Sequence, residues 1–172
     1  MTTGITLAMG MPGAAGAAAL GLLLREARPS DADALGAMFG RCTPETRSAR
    51  FHGMLHALPA GYLASALAGD AAVHDALVLE TGAGALVALA SACRVGSAVE
   101  VGLLVEDAWQ GRALGPLLLT SLAVRARRRG ARALRCDVLA DRQHLVEVVR
   151  RTLGPVAVRR EGFEVHVEVR LT

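Results

Sequence analysis

The sequence predicts one domain of the α+β class, and three observations carry that prediction. The chain has 172 residues, enough to bury one sizeable core. Apolar residues recur with a helical period before residue 70 and mostly alternate, as in strands, between residues 75 and 105. An apolar strand pattern at 101–105 then leads through small residues into another helical pattern near residue 114. Blocks of strands and helices in this arrangement are typical of an α+β fold.

The predicted elements follow the order strand, two or three helices, three strands, helix, strand, helix and two strands. Strands are predicted over 22–27, 75–80, 86–95, 97–105, 133–139, 156–160 and 163–171, and helices over 31–40, 45–58, 60–67, 114–129 and 141–153. Ser30 is the expected cap of the first helix. Thr43 caps the second, with Pro44 at its first position. Gly130 is placed to end the helix that starts near residue 114.

Residues 1–21 are rich in alanine and glycine and are expected to be a flexible extension ahead of a domain at 22–172. The stretch 5–24 is apolar, but no basic segment precedes it, and Pro12 and several glycines interrupt it. We therefore predict neither a signal peptide nor a membrane segment there.

The charge balance favours an anionic ligand only weakly, since the formal net charge is +3. All 19 basic residues are arginine, and the densest run spans 125–132. At the end of a helix such a run complements the helix dipole. Binding to nucleic acid is the alternative interpretation, but it would require interleaved aromatic residues, and aromatics make up only 3% of the chain. We predict no nucleic-acid partner.

Cysteines and histidines show no metal-binding pattern. Cys42, Cys93 and Cys136 are odd in number and share no ligand spacing, which indicates free thiols and a cytoplasmic protein. Cys136 alternates within a predicted strand and is expected in the core. His52 and His56 lie four residues apart and could chelate zinc, but no third ligand is near, so no metal is predicted.

The segment from Val105 to Pro116 is the most informative in the chain. A buried strand ends at two carboxylates, Glu106 and Asp107, and small residues then lead into a helix with Pro116 near its start. Unpaired backbone N–H groups at a helix start, together with the helix dipole, hold phosphate well.

The pattern Gln110-x-x-Ala113-x-Gly115 resembles the pyrophosphate loop of the GNAT family of N-acetyltransferases, whose form is Gln/Arg-x-x-Gly-x-Gly/Ala. The element order after residue 22 is similar to the topology of that family, and residues 25–33 resemble its common opening, R-x-x-x-P-x-D. Residues 44–51, Pro-Glu-Thr-Arg-Ser-Ala-Arg-Phe, are similar to a helix-two motif of bacterial protein acetyltransferases, which acetylate lysines.

This resemblance implies a central mixed, mostly antiparallel sheet of about seven strands flanked by four or five helices, with acetyl-CoA as cosubstrate. It implies that the acetyl-pantetheine arm lies along Leu103, Leu104 and Val105, and that a backbone N–H near Leu104 is the oxyanion donor. The pyrophosphate would lie on Gln110, Gly111, Arg112, Ala113, Leu114 and Gly115. We expect helical φ and ψ at Ala113, because the position opens a helix.

Glu100 is the candidate general base, on the strand where family members often place a carboxylate; a solvated charge at a strand start is the alternative. Glu106 and Asp107 are expected to be structural. The tyrosine that serves many members as general acid is missing from the last helix, since the one tyrosine in the chain is Tyr62. His144 could replace it or could be a surface histidine.

The predicted function is therefore transfer of an acetyl group from acetyl-CoA to a primary amine. The acceptor is a protein lysine, slightly favoured by the motif at 44–51, or a small-molecule amine. The alternative is a catalytically weak GNAT-fold protein that binds acyl-CoA as a sensor or partner module. Assembly as a homodimer is a further expectation.

Overall fold

A seven-stranded mixed sheet organises residues 13–171, the part of the chain that this computed structural model describes. The strands are β1 (Leu22–Glu26), β2 (His74–Thr81), β3 (Leu86–Val95), β4 (Ala98–Val105), β5 (Ala133–Leu139), β6 (Val156–Glu161) and β7 (Glu164–Arg170). They lie in the order β1-β2-β3-β4-β5-β7-β6, and β4–β5 is the one parallel pair among them. The predicted fold class is confirmed.

Six α-helices cover the two faces of the sheet in the described residues. They are α1 (Ala14–Ala19), α2 (Ala32–Arg41), α3 (Pro44–Phe51), α4 (Ala60–Ala66), α5 (Leu114–Arg128) and α6 (His144–Leu153). Leucines and alanines of α5, with Val146 and Val149 of α6, form the first apolar core against one face. The second apolar core lies on the opposite face and includes Leu35, Met38 and Phe39 of α2.

Helix α1 is the element that the sequence did not predict, and it brings the helix count to six. Its Ala17 is fully buried in the first core. A Cβ added at Gly16 would lie 3.1 Å from the Leu117 side chain, so small residues let α1 lie close to α5. The part of the predicted flexible extension from residue 13 onward is therefore packed; residues 1–12 fall outside the described residues. No helix within 13–171 combines the length and the apolar character needed to cross a bilayer.

Two helix boundaries differ from the prediction for local reasons. The predicted Ser30 cap is wrong: α2 starts at Ala32 after a 3₁₀ turn at Pro29–Asp31, and no side chain among the described residues caps it. The Asp31 carboxylate instead accepts the Arg28 N–H at 2.8 Å and closes that turn. The predicted Thr43 cap of α3 is confirmed, since its Oγ1 accepts the Thr46 N–H at 3.2 Å. Helix α3 ends at Phe51 and not at residue 58, because His52 adopts a left-handed conformation with φ 53°.

The basic run at the end of α5 has a structural partner. Arg125 and Arg129 each donate to the buried carboxylate of Asp75 at 2.6 Å, and Arg125 also binds Glu26. These pairs connect α5 to β1 and β2. The fold therefore accounts for two of the five arginines in the run, Arg125 and Arg129.

Candidate active site

The pairing of β4 with β5 stops early and leaves a gap in the sheet. The last β4–β5 pair is Glu100–Arg135, whereas β4 stays paired with β3 as far as Val105. From Val101 to Val105, the edge of β4 that faces β5 has no strand neighbour among residues 13–171. A cleft of about 1560 Å³ opens at this gap. An open strand edge offers N–H and C=O groups to an extended ligand.

Most of the predicted coenzyme residues line this cleft: Leu103, Leu104, Val105, Gln110, Gly111, Ala113, Leu114 and Gly115. The Leu104 and Leu114 side chains are buried in the two apolar cores, so these residues can serve a ligand mainly through the backbone. Arg112 is not among the lining residues; its guanidinium lies over the Trp109 ring, 4.9 Å from the ring centroid.

The Gln110 side chain is engaged within the protein. Its Nε2 donates to the Val105 carbonyl at 3.0 Å and to Thr46 Oγ1 at 3.1 Å. The amide therefore connects the loop to the end of β4 and to α3. Both hydrogen bonds of Gln110 Nε2 are thus made within the protein.

Ala113 adopts a left-handed conformation, with φ 58° and ψ 19°, so the expected helical φ and ψ are wrong. The first α5 bond that reaches back to the loop runs from Leu117 N to the Ala113 carbonyl. Ala113 is thus the residue before the helix, where the chain turns, and Gly111 has a positive φ of 73° in the same turn. The backbone N–H groups of Leu114 and Gly115 lie in the first turn of α5, where no intrahelical carbonyl is available. This geometry suits an anion.

The two carboxylates after β4 are structural, as predicted. Asp107 accepts the Thr43 N–H at 2.8 Å and the Thr46 hydroxyl at 2.7 Å. Burial raises the pKa of Asp107, but the hydrogen bonds from Thr46 and Thr43 outweigh burial and hold the pKa below its usual range. Glu106 binds Arg41 at 2.9 Å. Both carboxylates connect the turn after β4 to the segment that contains the end of α2 and the start of α3.

Glu100 is exposed and lines the cleft where β4 and β5 separate. Its cross-strand neighbours are Cys93 on β3 and Arg135 on β5. Among residues 13–171 it has no ion-pair partner within 4.0 Å. The carboxylate is therefore free to act on a ligand in the cleft.

Arg50, Tyr62 and Ser91 form a polar wall beside the open part of β4, and sequence reasoning missed this wall. A Cβ added at Gly102 would lie 2.1 Å from Arg50 Cζ, so the guanidinium lies directly over this glycine. Arg50 donates to the Tyr62 hydroxyl at 3.3 Å and to Ser91 Oγ at 3.4 Å, and Tyr62 donates to Ser91 at 3.0 Å. The one available signal was Gly102 itself, because a glycine inside an apolar strand often marks close approach of another group.

On the β5–β7 side of the cleft, the charged groups form pairs. His52 Nδ1 lies 2.6 Å from Glu164, so the end of α3 is connected to the start of β7. His166 Nδ1 lies 2.6 Å from Asp137, and Arg135 binds Glu168 at 2.7 Å. Each carboxylate on this wall thus has a basic partner.

The other candidate residues from the sequence are Cys136, His144 and His56. Cys136 packs against the first core, and its burial, followed by the charge of Asp137, raises its pKa to about 11, which keeps the thiol protonated. His144 is the first residue of α6 and is exposed at the cleft. His56 follows the end of α3, so the helical spacing assumed for His52 and His56 does not exist.

Comparison with known proteins agrees with this geometry. The sequence model of the Acetyltransferase (GNAT) family matches residues 32–154. No curated protein matches significantly.

Solved structures provide further likenesses. The GNAT domain of S. lividans PAT is 25% identical, with a TM-score of 0.79 over 87% of this chain and 90% of that one. The cAMP-binding acyltransferase from Mycobacterium smegmatis is 26% identical, with a TM-score of 0.59 over 88% of this chain; the present chain spans 44% of its length. A putative acetyltransferase from Salmonella typhimurium, solved with its cofactor acetyl-CoA, is 20% identical, with a TM-score of 0.69 over 88% of this chain and 94% of that one, and shares the fold.

Proposed function

Because the chain belongs to the acetyltransferase (GNAT) family, we propose that it transfers an acetyl group from acetyl-CoA to a primary amine, with Glu100 as general base. The acceptor is a protein lysine or a small-molecule amine. The observation that carries the proposal is the gap between β4 and β5, which opens beside the turn and helix start at 110–115. It offers a strand edge for an extended arm and a helix start for a pyrophosphate in one continuous cleft.

Each part of the cleft has a task in the proposed reaction. The open edge of β4 binds the pantetheine arm as an added strand would. The backbone at Gly111 and Ala113, and the N–H groups of Leu114 and Gly115, hold the pyrophosphate. A backbone N–H near Leu104 stabilises the negative charge that develops on the thioester oxygen.

Glu100 takes a proton from the attacking amine, directly or through a water molecule. The nitrogen attacks the thioester carbon, and the tetrahedral intermediate collapses as the C–S bond breaks. The coenzyme A thiolate is a fair leaving group without an acid, because free thiols ionise near pH 8.5. The absence of tyrosine from α6 is therefore compatible with turnover.

Calorimetry with acetyl-CoA and a turnover assay over a panel of amines and peptides test the proposal. We expect Glu100→Gln to lower kcat by about 100- to 10,000-fold and to leave acetyl-CoA affinity nearly unchanged. Glu147→Gln is the matched control, since Glu147 lies on α6 in an ion pair with Arg150. The absence of any heat of acetyl-CoA binding would refute the proposal. A kcat of Glu100→Gln equal to that of the parent would remove Glu100 from the mechanism.

A second candidate is an acyl-CoA-binding module that transfers poorly. Alanine at position 113, where the family pattern has glycine, and the lack of tyrosine in α6 favour it. It predicts acetyl-CoA binding without transfer to any acceptor in the same panel. The expected homodimer remains a prediction that light scattering can test.

A further inference from the structure

Two opposite charges lie on one face of β4 without pairing with each other. The Arg50 guanidinium covers Gly102, and Glu100 is two residues earlier on the same strand. Alternate residues share a face of a strand, so these two positions lie about 7 Å apart on that face. Among residues 13–171, neither side chain has an ion-pair partner within 4.0 Å.

The surroundings of Arg50 hold its guanidinium in place without neutralising its charge. Cζ lies 4.5 Å from the centroid of the Phe51 ring and 5.2 Å from that of Tyr62. Its hydrogen bonds to Tyr62 and Ser91 are long and both use one nitrogen, Nη2, which leaves further N–H donors for a ligand. The positive charge acts on its neighbours: burial lowers the pKa of His74, and Arg50 lowers it further, against the opposing effect of Asp75.

The carboxylates that line the cleft opposite β4 have basic partners, whereas Glu100 on β4 has none among residues 13–171. Glu164, Asp137 and Glu168 pair with His52, His166 and Arg135 respectively. A ligand that enters the cleft beside the open part of β4 meets the unpaired cation Arg50 and the unpaired anion Glu100; Arg142, which also lines the cleft, likewise has no ion-pair partner among residues 13–171. This arrangement is complementary to a zwitterion.

Resting on the proposed function, we propose that the acceptor is a free amino acid, whose carboxylate binds Arg50 and whose α-amine faces Glu100. A guanidinium binds a carboxylate through paired N–H donors, which also orients the ligand. In the transfer, the N–C bond forms and the C–S bond breaks. Of the two protons that the ammonium nitrogen loses, one ends on the coenzyme thiolate and the other leaves through Glu100 to solvent.

The first experiment compares L-amino acids with two analogues of each, the decarboxylated amine and the carboxamide. The decarboxylated amine is more basic than the amino acid and the carboxamide is less basic, so a preference over both cannot arise from basicity. We expect kcat/KM for the amino acid to exceed both by about 10- to 100-fold. Calorimetry of the amino acid on the protein loaded with coenzyme A provides a readout that does not need turnover.

Variants of the polar wall test whether Arg50 causes the preference for amino acids over analogues without a carboxylate. Arg50→Gln should abolish the preference and leave acetyl-CoA affinity and thermal unfolding close to those of the parent, whereas Arg50→Lys should keep part of it. Tyr62→Phe removes a hydroxyl but keeps the ring under the guanidinium, and should retain the preference. Gly102→Ala places a Cβ where the guanidinium lies and should act like Arg50→Gln.

The outcomes separate this inference from the proposed function. Equal rates on amino acids and on analogues without a carboxylate would overturn the inference and leave acetyl transfer intact, as would transfer confined to lysines within peptides. A preference that persists in Arg50→Gln would also overturn it. Arg50-dependent binding of amino acids without turnover would support an amino-acid site at Arg50 and refute the proposed transfer, and with it the role of the amino acid as acceptor. Neither binding nor transfer would refute both.

Discussion

Replacing Ala113 with glycine should stabilise this protein, although most replacements of alanine by glycine destabilise. Ala113 adopts φ 58° at the residue before α5. The left-handed region brings the Cβ of an L-residue close to its own carbonyl oxygen, whereas glycine has no Cβ and adopts this region freely. The strain at Ala113 is thus removed by deleting one methyl group.

The expected magnitude is the difference between two opposing effects. A left-handed conformation costs an L-residue about 1–2 kcal/mol. Glycine gains about 0.4–1 kcal/mol of extra chain entropy in the unfolded state, which offsets part of that relief. The net gain in the free energy of unfolding is about 0.8 kcal/mol at the midpoints of these ranges. In a chain of this size it should raise Tm by about 2–3 °C.

Differential scanning calorimetry of Ala113→Gly measures this gain, and Gly36→Ala is the matched control. Gly36 lies within α2, its φ is not positive, and an added Cβ would meet no atom within 4 Å. Alanine there should stabilise by about 0.5–1 kcal/mol. Ala113→Gly and Gly36→Ala are opposite substitutions. If both raise Tm, the backbone conformation of each position decides whether glycine or alanine is the more stabilising residue there. A lower Tm for Ala113→Gly would refute the left-handed assignment at this position.

Two further predictions concern buried or bonded carboxylates. Asp75→Ala leaves Arg125 and Arg129 without their shared partner and should lower the free energy of unfolding, measured in urea, by about 3 kcal/mol. This is the low end of the range for a broken buried ion pair, because the Arg129 side chain is 33% exposed. A loss under about 1 kcal/mol would contradict the prediction. Asp107 has a folded pKa below its ordinary 3.8, so its stabilisation is present above pH 3.8 and is lost as pH falls below that value. Asp107→Asn should flatten this acid limb of urea stability, and an unchanged limb would show that other carboxylates cause it.

The strands and most helices follow from local pattern, and they could therefore be predicted from the sequence. Alternation placed β2 to β4, and the Thr43-Pro44 pair placed the start of α3 at the observed cap. The end of α3 was missed because apolar residues continue to Leu58, while the left-handed turn at His52 stops the helix. A stop of this kind depends on one residue's dihedral angles, which periodicity does not show.

That residues 103–105 and most of 110–115 line one cleft could be predicted, because they are close together in sequence. The polar wall could not be predicted, since its residues come from four different elements and meet only in the fold: Arg50, Tyr62, Ser91 and Gly102. The conformation of Ala113 escaped prediction for another reason. The same local sequence is compatible with Ala113 as the first helical residue and with Ala113 as the left-handed residue just before the helix.

The Thr46 hydroxyl connects the loop after β4 to α3. It donates to Asp107 and accepts from Gln110, and it lies on α3, the helix that carries Arg50. The Thr46 oxygen thus joins the loop at Gln110 to the helix that carries Arg50, beside the bonds that Thr43 makes to Asp107. Energetic coupling of this kind is reciprocal, so any gain in coenzyme affinity caused by the acceptor equals the gain in acceptor affinity caused by the coenzyme. Titrating each ligand in the presence of the other measures this coupling, and Thr46→Val, which removes the shared hydroxyl, tests how much of it depends on Thr46.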